Sequence, residues 1–98
     1  MRVVFAASAR DDLDGIADWI GADDLGRALT FTSELRAKCQ ALANRPRIYP
    51  VVRRLGDVEL RRCNHRGYAI IYSVDESVVR VLQVLHGSRD IGSLLPLA

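Results

Sequence analysis

Apolar and polar positions alternate between three rhythms along this chain. Arg2-Val3-Val4-Phe5-Ala6 is a short β-branched and aromatic run, which predicts an N-terminal strand over 2–6. Ser8 then stands as a helix N-cap, with Asp11 three residues on as the acid of a capping box. Leu13, Ile16, Ala17 and Ile20 form one apolar helical face that ends near Gly21. Beyond Asp23-Asp24, Leu25, Ala28, Thr32, Leu35, Cys39 and Leu42 recur at alternating steps of three and four, a seam with Thr32 its one polar member. Pro46 closes this second helix, because the residue before a proline is pushed out of helical geometry. Two helices on so short a link form an antiparallel hairpin.

Residues 46–57 contain Pro46, Pro50 and Gly56 and read as a loop packing back toward the sheet. Three strand-like runs follow: Val58 to His65, Tyr68 to Val74 and Val78 to His86. The links Asn64-His65-Arg66-Gly67 and Asp75-Glu76-Ser77 suit hairpins, so the three runs form an antiparallel meander. In the second run Tyr68, Ile70, Tyr72 and Val74 share one face and Ala69 and Ile71 the other; in the third, Val79, Val81 and Leu85 oppose Val78, Leu82 and Val84. Strands apolar on both faces lie centrally. The predicted fold is therefore α+β, a single domain over 1–98 in the order β-α-α-β-β-β, with a small antiparallel sheet packed on a helical hairpin. One sheet face meets the hairpin and the other needs a further cover.

Composition adds an electrostatic asymmetry. The formal net charge is only +2, and 49% of the residues are hydrophobic, enough for a core and unlike a disordered chain. Residues 1–34 hold three Arg against seven acids, whereas residues 35–72 hold eight Arg and Lys38 against two acids. Such a block creates a local positive potential on a nearly neutral protein. Cys39 and Cys63 have no zinc spacing and make no disulfide framework; Cys39 falls on the apolar helical face. The opening Met1-Arg2-Val3-Val4-Phe5 is too short for a leader and no apolar run has membrane-spanning length, so a cytoplasmic protein is expected. Phosphate-binding glycine loops and a nucleophile elbow are absent, and the two histidines lack metalloprotease pairing. No cofactor or metal is expected.

The constellation that stands out is Arg53, Arg54, Arg61, Arg62, Arg66, His86 and Arg89. A meander brings the end of its first strand, the start of its second and the end of its third to one rim. Arg61, Arg62, Arg66, Tyr68, His86 and Arg89 are thus predicted to gather there. Guanidinium groups clamp phosphates or carboxylates, and a His–Tyr pair offers acid–base chemistry or stacking. The competing reading is a solvated strand edge whose charges discourage aggregation, with His86 a structural histidine at a strand end. Trp19, the one tryptophan, lies beside the Ile16/Ile20 face: a core-boundary position or an anchor for a partner.

Three segments carry a family resemblance. Ser8-Ala9-Arg10-Asp11-Asp12-Leu13-Asp14-Gly15-Ile16 resembles the opening of the RelE/ParE toxins, Arg61 through Val74 resembles their central hairpin, and Val81-Leu82-Gln83-Val84-Leu85-His86-Gly87-Ser88-Arg89-Asp90 resembles the ending of the ParE-like branch. The resemblance implies a toxin neutralised by an antitoxin whose C-terminal segment wraps it, hence a hetero-oligomer. ParE-like members inhibit DNA gyrase; RelE-like members cleave mRNA in the ribosomal A site. Gly87 follows His86 where a nuclease pattern would favour tyrosine, and lysine is nearly absent, so the ending leans toward ParE. The implied partner is a ParD-like antitoxin with an acidic C-terminal segment, gyrase being the target and the ribosome with its mRNA the alternative. Target contacts would come from the rim, with Arg62, His86 and Arg89 catalytic on the nuclease reading. Antitoxin contacts would come from Trp19, Tyr72, Leu82, Arg53 and Arg54. A plain nucleic-acid-binding module without toxicity is the third reading.

Overall fold

Seven elements make up the computed structural model, which describes residues 1–87: β1 (Arg2–Phe5), α1 (Ala7–Gly21), α2 (Leu25–Ala41), β2 (Val51–Leu55), β3 (Val58–His65), β4 (Tyr68–Val74) and β5 (Val78–His86). The three predicted C-terminal strands form with the predicted bounds and pair as a meander. Arg66 and Gly67 both take positive φ, 48° and 85°, as a tight two-residue hairpin requires.

The sheet departs from expectation in two ways. It has five strands in the order β1-β5-β4-β3-β2, and β1 runs parallel to β5, so the sheet is mixed. The chain leaves β1, crosses one face as two helices, re-enters at the far edge as β2 and meanders back. The second departure is β2 itself, inside the stretch read as a loop. Pro50 and Gly56 bound it, and Val51-Val52-Arg53-Arg54-Leu55 carries no apolar–polar alternation to reveal it, although its exposure alternates; its register with β3 shifts between Val51 and Arg53.

The helices also correct the reading of their seams. Ala6, not Ser8, occupies the N-cap of α1, without a side-chain bond; Ser8 lies inside the helix and donates to the Leu82 carbonyl at 2.6 Å. The N-cap of α2 is Asp24, which accepts the Arg27 N–H at 2.9 Å. The buried seam of α2 is Ala28, Phe31, Leu35 and Cys39, continued by Leu42; Leu25 is 75% exposed. Phe31 replaces Thr32 because the core-facing stripe follows the true helical period rather than a strict heptad.

The main core lies between hairpin and sheet, where Leu13, Ile16, Phe31 and Leu35 meet Ile70, Tyr72, Val79 and Val81. Leu60, Ala69 and Ile71 form a second cluster on the other face, bordered by Leu55 and Leu82. In β5 a register shift leaves Leu82 unpaired, since Ile71 faces Gln83 and Tyr72 faces Val81. The bulge reverses the alternation, so Val84 rather than Leu85 joins Val79 and Val81 under the helices.

Burial pushes the Cys39 thiol from 9.0 to about 12 and the Tyr72 phenol from 10.0 to about 12. The unfolded chain therefore loses these protons first, and the folded state loses stability as pH rises from about 9 toward about 12. Urea midpoints should hold level up to pH 9 and fall above it, and Cys39→Ala or Tyr72→Phe should each flatten that fall. No helix among the described residues is long and apolar enough to cross a membrane.

Candidate functional site

The register of the meander places His65, Tyr68 and His86 in one row across β3, β4 and β5, since Tyr68 faces His65 on one side and His86 on the other. The row lies on the helical face. Tyr68 and His86 meet edge to face at 5.4 Å, and Phe31 of α2 packs on Tyr68 at 5.5 Å and on His65 at 6.2 Å. The Arg27 guanidinium covers Phe31 from outside at 5.0 Å.

Glu34 sits at the β3 end of this row. Its Oε2 lies 3.9 Å from His65 Nε2 and 3.8 Å from Arg66 Nε, and its Oε1 lies 3.6 Å from Arg27. Both Glu34 Oε2 and His65 Nε2 are buried without a hydrogen-bond partner. This carboxylate offsets part of the positive charge at the rim. Sequence reasoning missed Glu34 and His65. The hairpin register would have found His65, whereas Glu34 needed the helix placement.

The predicted arginine cluster divides. Arg66 stands at the β3–β4 turn, 63% exposed, at the Glu34 end of the row. Arg62 projects from the opposite face, where its Nε donates to Asn64 Oδ1 at 2.8 Å. Arg61 shares the Tyr72 face but turns beneath the α2–β2 connection, donating to the Arg47 carbonyl at 3.1 Å and the Tyr49 carbonyl at 2.7 Å, with Glu59 at 3.3 Å. Its side chain is only 13% exposed, so it is a structural group rather than part of the rim. Arg89 lies outside the described residues.

The residues expected to meet an antitoxin are also dispersed. Trp19 on α1 is 77% exposed. Arg53 and Arg54 lie on β2 at the other edge of the sheet, with Arg54 paired to Glu59 at 2.8 Å. Leu82 borders the cluster on the open face. Tyr72 corrects the reading most clearly: it is fully buried under the helices, and its hydroxyl donates to the Pro46 carbonyl at 2.7 Å.

Where β1 ends, α1 closes the edge of β5. The Ala6 N–H donates to the Val81 carbonyl at 2.9 Å, Ser8 takes the Leu82 carbonyl, and Asp12 Oδ2 accepts the Val84 N–H at 2.9 Å. Past these contacts a groove of about 620 Å³ opens between α1 and the end of β5. Ile16, Trp19, Tyr68 and Val84 form its apolar walls, Asp11 and Asp12 lie along one side, and His86 stands at the other.

The comparisons with known proteins agree with this architecture. The sequence model of a family described as the ParE toxin of type II toxin–antitoxin system, parDE, matches residues 3–91. Among solved structures the chain is similar to the chromosomal ParDE TA system from P. aeruginosa, with a TM-score of 0.71 and 15% identity over 88% of this chain and 95% of that one. It is also similar to the archaeal RelE-RelB complex from Pyrococcus horikoshii OT3, with a TM-score of 0.50 and 21% identity over 91% of this chain and 97% of that one. At such identities the structural likeness speaks for the fold. No curated protein matches the sequence.

Proposed function

Because the chain belongs to the ParE toxin family of type II toxin–antitoxin systems, we propose that it acts in the cytoplasm as an inhibitor of DNA gyrase and is held inactive by a ParD-like antitoxin. The observation that carries the choice of target is the division of the basic groups. On the nuclease reading Arg62 and His86 act on one substrate, yet their strand positions put them on opposite faces of the sheet: the Arg62 guanidinium is tied to Asn64 and lies behind His86, 3.6 Å from where a Cβ on Gly87 would stand, and Glu34 sits beside the exposed Arg66. That arrangement suits contact with a protein better than in-line attack on a phosphodiester. Arg66, Tyr68 and His86 form the target-facing rim, with Arg62 reaching it from behind and Arg89 its remaining sequence-based member.

The antitoxin is an extended segment that folds as it binds. Trp19 and Leu82 receive its apolar side chains, and Arg53 and Arg54 receive acidic ones. These contacts lie at both edges of the sheet, which suits a segment that wraps the domain.

The test is a supercoiling assay. Purified chain added to gyrase and relaxed plasmid should abolish supercoiling and accumulate cleaved DNA, while cell-free translation continues; adding the antitoxin should restore supercoiling. Unimpaired gyrase together with A-site mRNA cleavage that disappears in Arg62→Ala or His86→Ala would replace this reading with the ribonuclease one.

A further inference from the structure

The groove between α1 and β5 has a chemistry opposite to that of the arginine-rich edge. Asp11, Gly15 and Trp19 follow at intervals of four and so lie on one stripe of α1. Trp19 is exposed at one end of the stripe, and Asp11 is exposed at the other. Between them Gly15 leaves a notch. Glycine inside a helix costs stability relative to alanine, and no packing here requires it, because a Cβ built on Gly15 meets nothing within 4 Å. What Gly15 provides is room for another chain to approach the helix backbone.

Charge selects the occupant. Helix α1 carries Arg10 against Asp11, Asp12, Asp14 and Asp18, and no Arg or Lys is among the described residues lining the groove. An acidic segment would be repelled there. Main-chain pairing to this stretch of β5 is limited, since Ser8 and Asp12 already hold the Leu82 carbonyl and the Val84 N–H. Recognition therefore rests on side chains.

We propose that the α1–β5 groove docks a protein segment with an apolar anchor seated over Gly15 against Trp19 and a flanking arginine or lysine paired with Asp11. This deepens the antitoxin reading and rests on it for the identity of the occupant: the wrapping segment is acidic along β2 and basic along α1. Complementary charge of this kind fixes register and excludes wrong partners.

Trp19 is the only tryptophan, so its emission reports occupancy directly. The probe is a random peptide library displayed on phage and panned against the full chain. Enriched peptides should share an apolar residue flanked by Arg or Lys and should shift Trp19 emission to the blue. Asp11→Asn should weaken them about fivefold and reduce the salt dependence of binding. Gly15→Leu, whose side chain grows into open space, should keep the thermal midpoint and weaken them about tenfold or more. Enrichment of acidic peptides, binding that leaves Trp19 emission unmoved, or unaltered affinity in both variants would overturn the inference. Should Gly15→Leu fold poorly, the Asp11→Asn and emission measurements decide alone. The antitoxin separates the two readings. Neutralisation with no change at Trp19 keeps the antitoxin and removes the groove; capture of basic peptides when no antitoxin neutralises the chain does the reverse.

Discussion

Truncating Tyr72 to alanine should cost about 4 kcal/mol of folding stability, the range for deleting a buried aromatic side chain. Tyr72 is fully buried among the residues joining sheet and hairpin, and its phenol satisfies the Pro46 carbonyl just beyond α2. The truncation opens a cavity and leaves that carbonyl without its donor. A domain of 98 residues has little reserve against such a loss. Tyr72→Phe keeps the ring and loses only the hydrogen bond, so about 1 kcal/mol is expected. Urea unfolding followed by circular dichroism measures both. A loss for Tyr72→Ala below about 1 kcal/mol would mean that the side chain is not enclosed in solution.

Arg61→Ala comes next, at about 3 kcal/mol, while Arg62→Ala one residue away should cost less than about 1 kcal/mol. Both would look like surface arginines in a sequence. Yet Arg61 bonds two carbonyls of the α2–β2 connection and a carboxylate, whereas Arg62 bonds only an exposed amide. Removing Arg61 leaves two acceptors without their charged donor and loosens the connection that delivers the chain to β2. Lysine should not restore the loss, because a single ammonium cannot span the geometry of a guanidinium fork. Equal urea midpoints for the two alanine variants would contradict this assignment.

The contrast between these neighbours shows where sequence reading reached and where it stopped. The meander was legible because β3, β4 and β5 are long, β-branched and separated by turn residues. Gly67 in particular suits its positive φ, whereas Arg66 takes 48° without the advantage glycine or asparagine would have. The family was legible from three soft motifs in order, and the match over residues 3–91 supports it. The strand β2 was hidden because Val51-Val52-Arg53-Arg54-Leu55 shows no apolar–polar alternation in the sequence, although its exposure alternates and it pairs with β3 across the short Gly56-Asp57 turn. The rim was half legible. Period-two alternation alone assigns Arg61 and Arg62 to opposite faces, so the idea of one crowded guanidinium edge failed on information already in the chain. Tyr72 was misplaced for a different reason: its face was known, but which face the helices would cover was not. Ser8 reads as a helix-start signal, whereas it and Asp12 serve the β5 edge, and nothing local to α1 announces a partner more than seventy residues away.

The parallel seam between β1 and β5 sets the order in which the polypeptide can complete itself. Arg2 finds its place only opposite Val78, so β1 must wait for β5, the last strand described. The helical hairpin and the meander consist of near neighbours and close cheaply, while this seam bears the entropy of the largest loop in the domain. Until it closes, half of β5 presents an unfilled backbone edge to the cell. A newly made copy thus passes through a stage at which a chaperone, or a second nascent chain, can claim the position reserved for its own β1.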